Sequence, residues 1–177
     1  MFGLFKKKPE VVTQPDDPSL IVPRIKHVNF LAAVRERVKN PDDLPVTEPL
    51  VADLLVTYAF DMPETFLMMR ARDMQRLGLS AAQLRATAIA NLKQRLGNMG
   101  REGEPPLMRM VTGNGLESCV LLMDDFWQKL AGQIPPEIVV GVPTRDLLYV
   151  SSSHSPTASS SCARRCRRRT RVTTRTG

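Results

Sequence analysis

One well-marked helix with strand-like stretches on both sides constrains this chain most. Ser80 and Gln83 form an S-x-x-Q capping box, in which each side chain serves the other residue's backbone amide. Leu79 and Leu84 are spaced for a hydrophobic staple across that cap. Leu84, Ala88, Leu92 and Leu96 recur at every fourth position and so share one face, with Ala81 and Ile89 beside them. Gly97 ends the run. A helix so defined needs an apolar surface to lie on, and its flanks supply one.

Before it, Leu20 to Val28 reads as an edge strand, because Pro23 cannot donate to a ladder. Asn29 is spaced to cap a short helix over Phe30 to Lys39, which Asn40-Pro41 stops, and a Pro-rich loop runs to Pro49. Ala52 to Phe60 is apolar and β-rich; Asp61 to Glu64 is a turn, and Thr65 to Met69 a second strand. Asp73 to Leu79 suits a helical turn. After the helix, Leu107 to Thr112 predicts a strand, Asn114-Gly115 a two-residue hairpin turn, and Leu116 to Met123 its partner strand. Asp124 is placed to cap a helix over Asp125 to Ala131, ended by Gly132. Ile138 to Val142, a turn over Pro143 to Asp146, and Leu147 to Ser151 make a last strand pair. Successive hairpin–helix units predict an α+β fold with a mainly antiparallel sheet. An apolar fraction of 42% suits one domain, over residues 20–151.

The side chains carry no catalytic signature. Thr112-Gly-Asn-Gly115 joins two expected strands, whereas a phosphate loop needs a helix N-terminus after its glycines. No H-E-x-x-H or C-x2-C spacing occurs, and His27 is the only histidine before His154, so neither metal nor cofactor is implied. A Cys119–His27 nucleophile–base pair is conceivable, but Cys119 sits in an apolar run and reads as a buried small hydrophobe. The polar groups best placed for binding are Asp124 and Asp125 at a helix start, Trp127 on that helix, and Arg145 and Asp146 in a tight turn. Capping, core packing and a solvated turn account for the same residues without a ligand. Met62, Met68, Met69, Met74, Met108, Met110 and Met123 read mostly as core filler.

Charge is concentrated at one end. Residues 151–177 hold seven arginines and no Asp or Glu, while the whole chain has 25 Lys and Arg against 18 Asp and Glu. Without that tail, 18 basic residues face 18 acidic ones. A basic arm can bind nucleic acid. The codons allow a second reading. One GC-rich back-translation of Pro156 to Cys166, read from its third base, gives Asp-Gly-Ile-Glu-Gln-Leu-Arg-Ala-Ala-Val, an amphipathic helix start behind an Asp cap. Residues 152–177 are therefore expected to be a disordered, out-of-frame tail replacing a C-terminal helix. Cys162 and Cys166 within it have the wrong spacing for a redox or zinc site.

Phe2, Leu4 and Phe5 beside Lys6, Lys7 and Lys8 form too short a segment for a signal peptide or a firm membrane anchor, and residues 1–19 are expected to be a flexible lead-in. No run approaches transmembrane length, and a single cysteine before the tail fits a reducing, cytoplasmic setting.

The stretch Gly113 to Val150 resembles a bacterial family of unknown function typified by the YtpQ-like proteins. The carrying residues are the Gly113-Asn-Gly turn, Leu122-Met-Asp-Asp-Phe-Trp127, and Ile138-Val-Val-Gly-Val-Pro-Thr-Arg-Asp146. Leu54 to Leu96 looks like the family's preceding strand pair and helix. The resemblance implies a further helix after about His154, where this sequence departs. It implies no activity and no functional residues.

The favoured expectation is a binding module for a protein or small molecule, the alternatives being an enzyme with an unrecognised site and a nucleic-acid binder acting through its tail. Truncation after Ser155 should leave the melting temperature of the full chain unchanged and abolish any salt-sensitive, sequence-indifferent affinity for DNA. Anisotropy titrations at two salt concentrations, with a thermal melt of both proteins, check this. A Tm lower by several degrees, or tight specific binding that survives truncation, overturns it.

Overall fold

The computed structural model of the chain describes residues 14–97, 99–104, 107–134 and 137–154. The strands divide into two four-stranded antiparallel sheets. In the first, β3 (Leu54–Met62) is central and β1 (Ile21–His27) runs along one side of it. The other side of β3 is shared: β2 (Thr47–Val51) pairs with its first half and β4 (Thr65–Met68) with its second. The second sheet has the order β5 (Gly100–Glu102), β6 (Leu107–Val111), β8 (Leu147–Ser152), β7 (Ile138–Thr144). Helices α1 (Val28–Arg37), α2 (Ala71–Arg76), α3 (Ala81–Arg95) and α4 (Asp124–Ala131) complete an α+β architecture.

The expected long helix is α3, and its cap is the predicted one. The Ser80 amide donates to Gln83 Oε1 at 2.9 Å, and the Gln83 amide donates to Ser80 Oγ at 3.3 Å. Leu84, Ala88 and Leu92 are fully buried and Leu96 nearly so. On the same helix the buried Asn91 amide donates to the carbonyls of Pro18 and Ile21, fixing α3 to the start of β1. Arg95 reinforces this end through Asp61 at 2.7 Å and the Ser19 carbonyl at 3.1 Å.

Several local expectations are corrected. His27, not Asn29, caps α1: its Nδ1 accepts from the Asn29 amide at 3.1 Å, so the helix starts two residues early. The Pro-rich loop closes into β2, which accommodates Pro49 because it is an outer strand with a register shift there. Ala52 belongs to the β2–β3 turn, with φ 47, and not to a strand. Asp124 does not cap α4; Met123 stands at the cap without a side-chain bond, and Asp124 is the first helical residue. Both aspartates in that first turn still favour the positive end of the helix dipole.

The largest correction is at Asn114-Gly115. Leu116 to Met123 is no strand; Glu117–Leu122 is a 3-10 helix. A type I′ hairpin turn needs positive φ at both central residues. Gly113 and Gly115 take it, at 74° and 73°, but Asn114 does not. Instead the Glu117 carboxylate accepts from the amides of Thr112 and Gly113, at 3.1 and 3.2 Å, and Asn114 Oδ1 accepts from the Leu116 amide. These bonds wind the chain up where a ladder partner was expected. β6 therefore pairs with the distant β8 and with β5, and the expected run of hairpin units becomes two sheets. The last hairpin, β7–β8, forms as expected. The expectations for residues 1–13 and 155–177, including the tail and the lost helix, lie outside the described residues.

The buried side chains of both sheets, α3, α4 and the 3-10 helix form one contiguous cluster, from Ile21 and Phe60 to Leu148 and Val150. Met69, Met108 and Met110 lie in it. Because the α3 stripe is wholly enclosed, Leu84→Ala or Leu92→Ala should destabilise the protein by about 2–5 kcal/mol in a denaturant titration. A loss under about 0.5 kcal/mol for both would show that the stripe is not core.

Candidate functional site

Two recesses receive the residues singled out from the sequence, and they lie in different parts of the fold. The first is an apolar cleft of about 420 Å³ between one strand of each sheet, beside α4. Leu50 and Val51 of β2 form one wall, and Ile138 and Val140 of β7 the other. Leu121 of the 3-10 helix and Trp127 and Ala131 of α4 close it. Among the described residues, Asp124 and Gln128 are its polar lining. The helical spacing explains this: Asp124, Trp127, Gln128 and Ala131 lie three and four residues apart and share one face of α4.

Trp127 is held firmly at this cleft. Its Nε1–H donates to the Val120 carbonyl at 2.9 Å, and the Phe126 ring stands edge-on to it with centroids 5.0 Å apart. That geometry is favourable for two aromatic quadrupoles and leaves an indole face available as wall. A pocket of this size with few polar groups matches the general form of small-molecule sites.

The second recess, of about 600 Å³, is polar. It lies between β1, which supplies Arg24 and Lys26, the β3–β4 turn, Phe30 of α1, and Arg145 in the β7–β8 turn. Arg145 and Asp146 are both exposed. The Arg145 carbonyl accepts from the Ser118 amide at 3.1 Å, which ties the turn to the 3-10 helix. Asp146 Oδ1 accepts from Thr144 Oγ at 2.6 Å.

The five sequence candidates are thus not brought together. Asp124 and Trp127 line the cleft, and Arg145 lines the polar recess. Asp125 is exposed and pairs with Lys93 of α3 at 2.8 Å; that bond and that charge hold its carboxyl below the usual range. Cys119 and His27 do not form a nucleophile–base pair. The buried Cys119 thiol donates to the Pro23 carbonyl at 3.1 Å, and burial pushes its pKa up. His27 spends its Nδ1 on the α1 cap. Among the described residues, no group of three or more His, Cys, Asp or Glu is placed to hold a metal ion. None of the described helices is long and apolar enough to cross a membrane.

Sequence reasoning missed Leu50, Val51, Arg24 and Lys26. The first two fall between the loop ending at Pro49 and the strand expected from Ala52, where the sequence marks no element. For the others a faint signal existed: Arg24 and Lys26 alternate within a strand, so both face the same way.

The structural reading of two carboxylates, Glu117 and Asp125, yields a contrast. Glu117→Ala should cost about 1–3 kcal/mol, because the Thr112 and Gly113 amides lose their acceptor. Asp125→Ala should lower the melting temperature far less, since it removes an exposed ion pair and one of two acidic residues in the first turn of α4, both weak interactions in solvent. Thermal melts of the two variants check this, and equal melting temperatures would count against the winding role given to Glu117.

Known proteins offer one distant point of comparison. No family model matches the chain, and no solved structure matches it. A UPF0354 protein of Bacillus cereus (strain ATCC 10987 / NRS 248) is 26% identical over 144 residues, which take in 78% of this chain and 50% of the relative. The chain thus spans about half the length of the curated relative it matches. This similarity is consistent with an uncharacterised bacterial family.

Proposed function

We propose that this chain is a binding module, and that the apolar cleft between β2, α4 and β7 is its binding surface. The observation that carries the reading is the cleft itself: about 420 Å³ walled by aliphatic side chains and Trp127, with Asp124 the one carboxylate among the described lining residues. Its chemistry suits a small molecule with an apolar body and a hydrogen-bond-donating or cationic end facing Asp124. The separation of Asp125 and Arg145 from this cleft gives no support to a catalytic constellation among the named residues.

We also infer that residues 20–151 act as one domain, on the strength of the buried cluster that both sheets share. The relation to the UPF0354 protein supports extending the resemblance to the YtpQ-like proteins, through the 113–127 and 138–146 segments. A cytoplasmic setting fits a buried, unpaired Cys119.

Trp127 is the only tryptophan and lines the cleft, so its emission reports occupancy directly. Titration with the neutral fluorophore N-phenyl-1-naphthylamine should quench that emission saturably, at one site per chain. Ala131→Phe, which fills the cleft from an exposed position, should remove the quenching without lowering the melting temperature. Absence of saturable quenching in the unmodified chain, or its persistence in Ala131→Phe, would sink the proposed site.

A further inference from the structure

We propose that the polar recess bounded by β1, the β3–β4 turn and the β7–β8 turn binds the dianionic phosphate group of a small molecule. This site is separate from the apolar cleft, and either proposal can fail alone.

The argument begins with Arg24, which is only 3% exposed yet belongs to no ion pair among the described residues. A buried guanidinium is normally compensated by a carboxylate. Here its direct contacts are with two uncharged groups, while the Asp61 and Glu117 carboxylates act on its charge from beyond ion-pair distance. Its Nη1 donates to the Gly115 carbonyl at 2.8 Å, and its guanidinium carbon lies 4.0 Å from the Phe66 ring centroid. Lys26, two residues along the same strand, is held in the same way, its Nζ 5.2 Å from the Phe30 centroid. Ring faces and a carbonyl fix a cation's position without neutralising it. Arg145 completes the set from the opposite turn.

Mutual repulsion is therefore left standing. Burial lowers the pKa of Lys26 first, and the charges of Arg24 and Arg145 lower it further. Two acidic residues also line the recess, and they differ in availability. Asp61 is already bonded to Arg95 at 2.7 Å. Glu64 lies exposed on the β3–β4 turn. Asn114 is spent as well: its amide donates to the Arg95 carbonyl, and its Oδ1 accepts from Thr112 and Leu116. Among the described lining residues, Arg24, Lys26 and Arg145 face one carboxylate not engaged by Arg95, that of Glu64, so the recess carries a net positive charge that a phosphate monoester dianion answers more fully than a carboxylate. Arginine offers that phosphate a planar fork of donors, and Lys26 a point charge.

Calorimetric titration of the full-length chain at constant chloride tests the proposal, with inorganic phosphate as probe and acetate as the monoanion control. Phosphate should bind saturably, and acetate about tenfold or more weaker. The double variant Lys26→Met with Arg145→Gln should lose about tenfold or more of the phosphate affinity at unchanged melting temperature. Neither side chain is in the core, and the arginines after Ser155 are the same in both proteins. In amide NMR spectra of the unmodified chain, phosphate should shift Arg24, Lys26, Phe66 and Arg145 together. Undiminished affinity in the double variant would assign binding to the tail arginines and overturn the site. Equal binding of acetate would overturn the dianion assignment. Tighter displacement of phosphate by a short single-stranded oligonucleotide than by phenyl phosphate would overturn the small-molecule assignment in favour of nucleic acid.

Discussion

Among the described residues the two sheets share no ladder, so they are joined there by side chains and by irregular backbone. The 3-10 helix Glu117–Leu122 is that joint. It leans on both β1 and β8. Toward the first sheet, Cys119 donates to the Pro23 carbonyl and Arg24 reaches the Gly115 carbonyl. Toward the second, the Ser118 amide donates to the Arg145 carbonyl in the β7–β8 turn. Glu117 winds the segment by accepting two backbone amides of the chain leaving β6. Each such bond nets about 0.5–1.5 kcal/mol, or more where a charge takes part. Together they decide between two topologies, since a hairpin at Asn114 would have paired β6 with this segment and excluded β8.

The joint also handles an edge. β1 pairs with β3 on one side only, and an open strand edge invites unwanted association. Pro23 lacks a backbone donor, and its carbonyl is taken by Cys119. The outer edge of β1 is thus covered in part by the element that links the sheets. Both recesses follow from this arrangement. The apolar cleft opens where β2 and β7 meet beside α4, and the polar recess where β1 meets the β7–β8 turn. A change that unwinds the 3-10 helix should disturb both at once.

What could be read from the sequence was whatever local bonds determine. Helix α3 was legible to within a residue because its cap and its stripe lie within seventeen consecutive residues, and the β3–β4 and β7–β8 hairpins have short turns. The 3-10 helix was not. Cys119 to Leu122 has strand composition, and burial, not a ladder, is what that composition serves here. The deciding contacts, Glu117 to amides four and five residues back, override propensity without leaving a motif. For the sites, α4 gave Asp124 and Trp127 and the last turn gave Arg145, since both elements were placed correctly. Their partners come from β1 and β2, between 73 and 121 residues away in the chain, and no local pattern links them.

Net charge summed over the body describes no single recess, for a related reason. Residues 1–150 hold equal numbers of basic and acidic groups, which suggests no attraction to phosphate. The acids are not evenly spread. Asp73 serves Arg70, Asp43 serves Arg72, Glu48 serves Arg85, Asp125 serves Lys93 and Asp61 serves Arg95. Charges farther apart than a Debye length, about 10 Å at 0.1 M salt, hardly sense one another through solvent. Neutrality summed over a body several times that width therefore says little about any one recess. In the recess lined by Arg24, Lys26 and Arg145, the direct contacts of Arg24 and Lys26 are with aromatic faces and a carbonyl. The field at that place is set by which acids are already engaged elsewhere, a property of the fold and not of the composition.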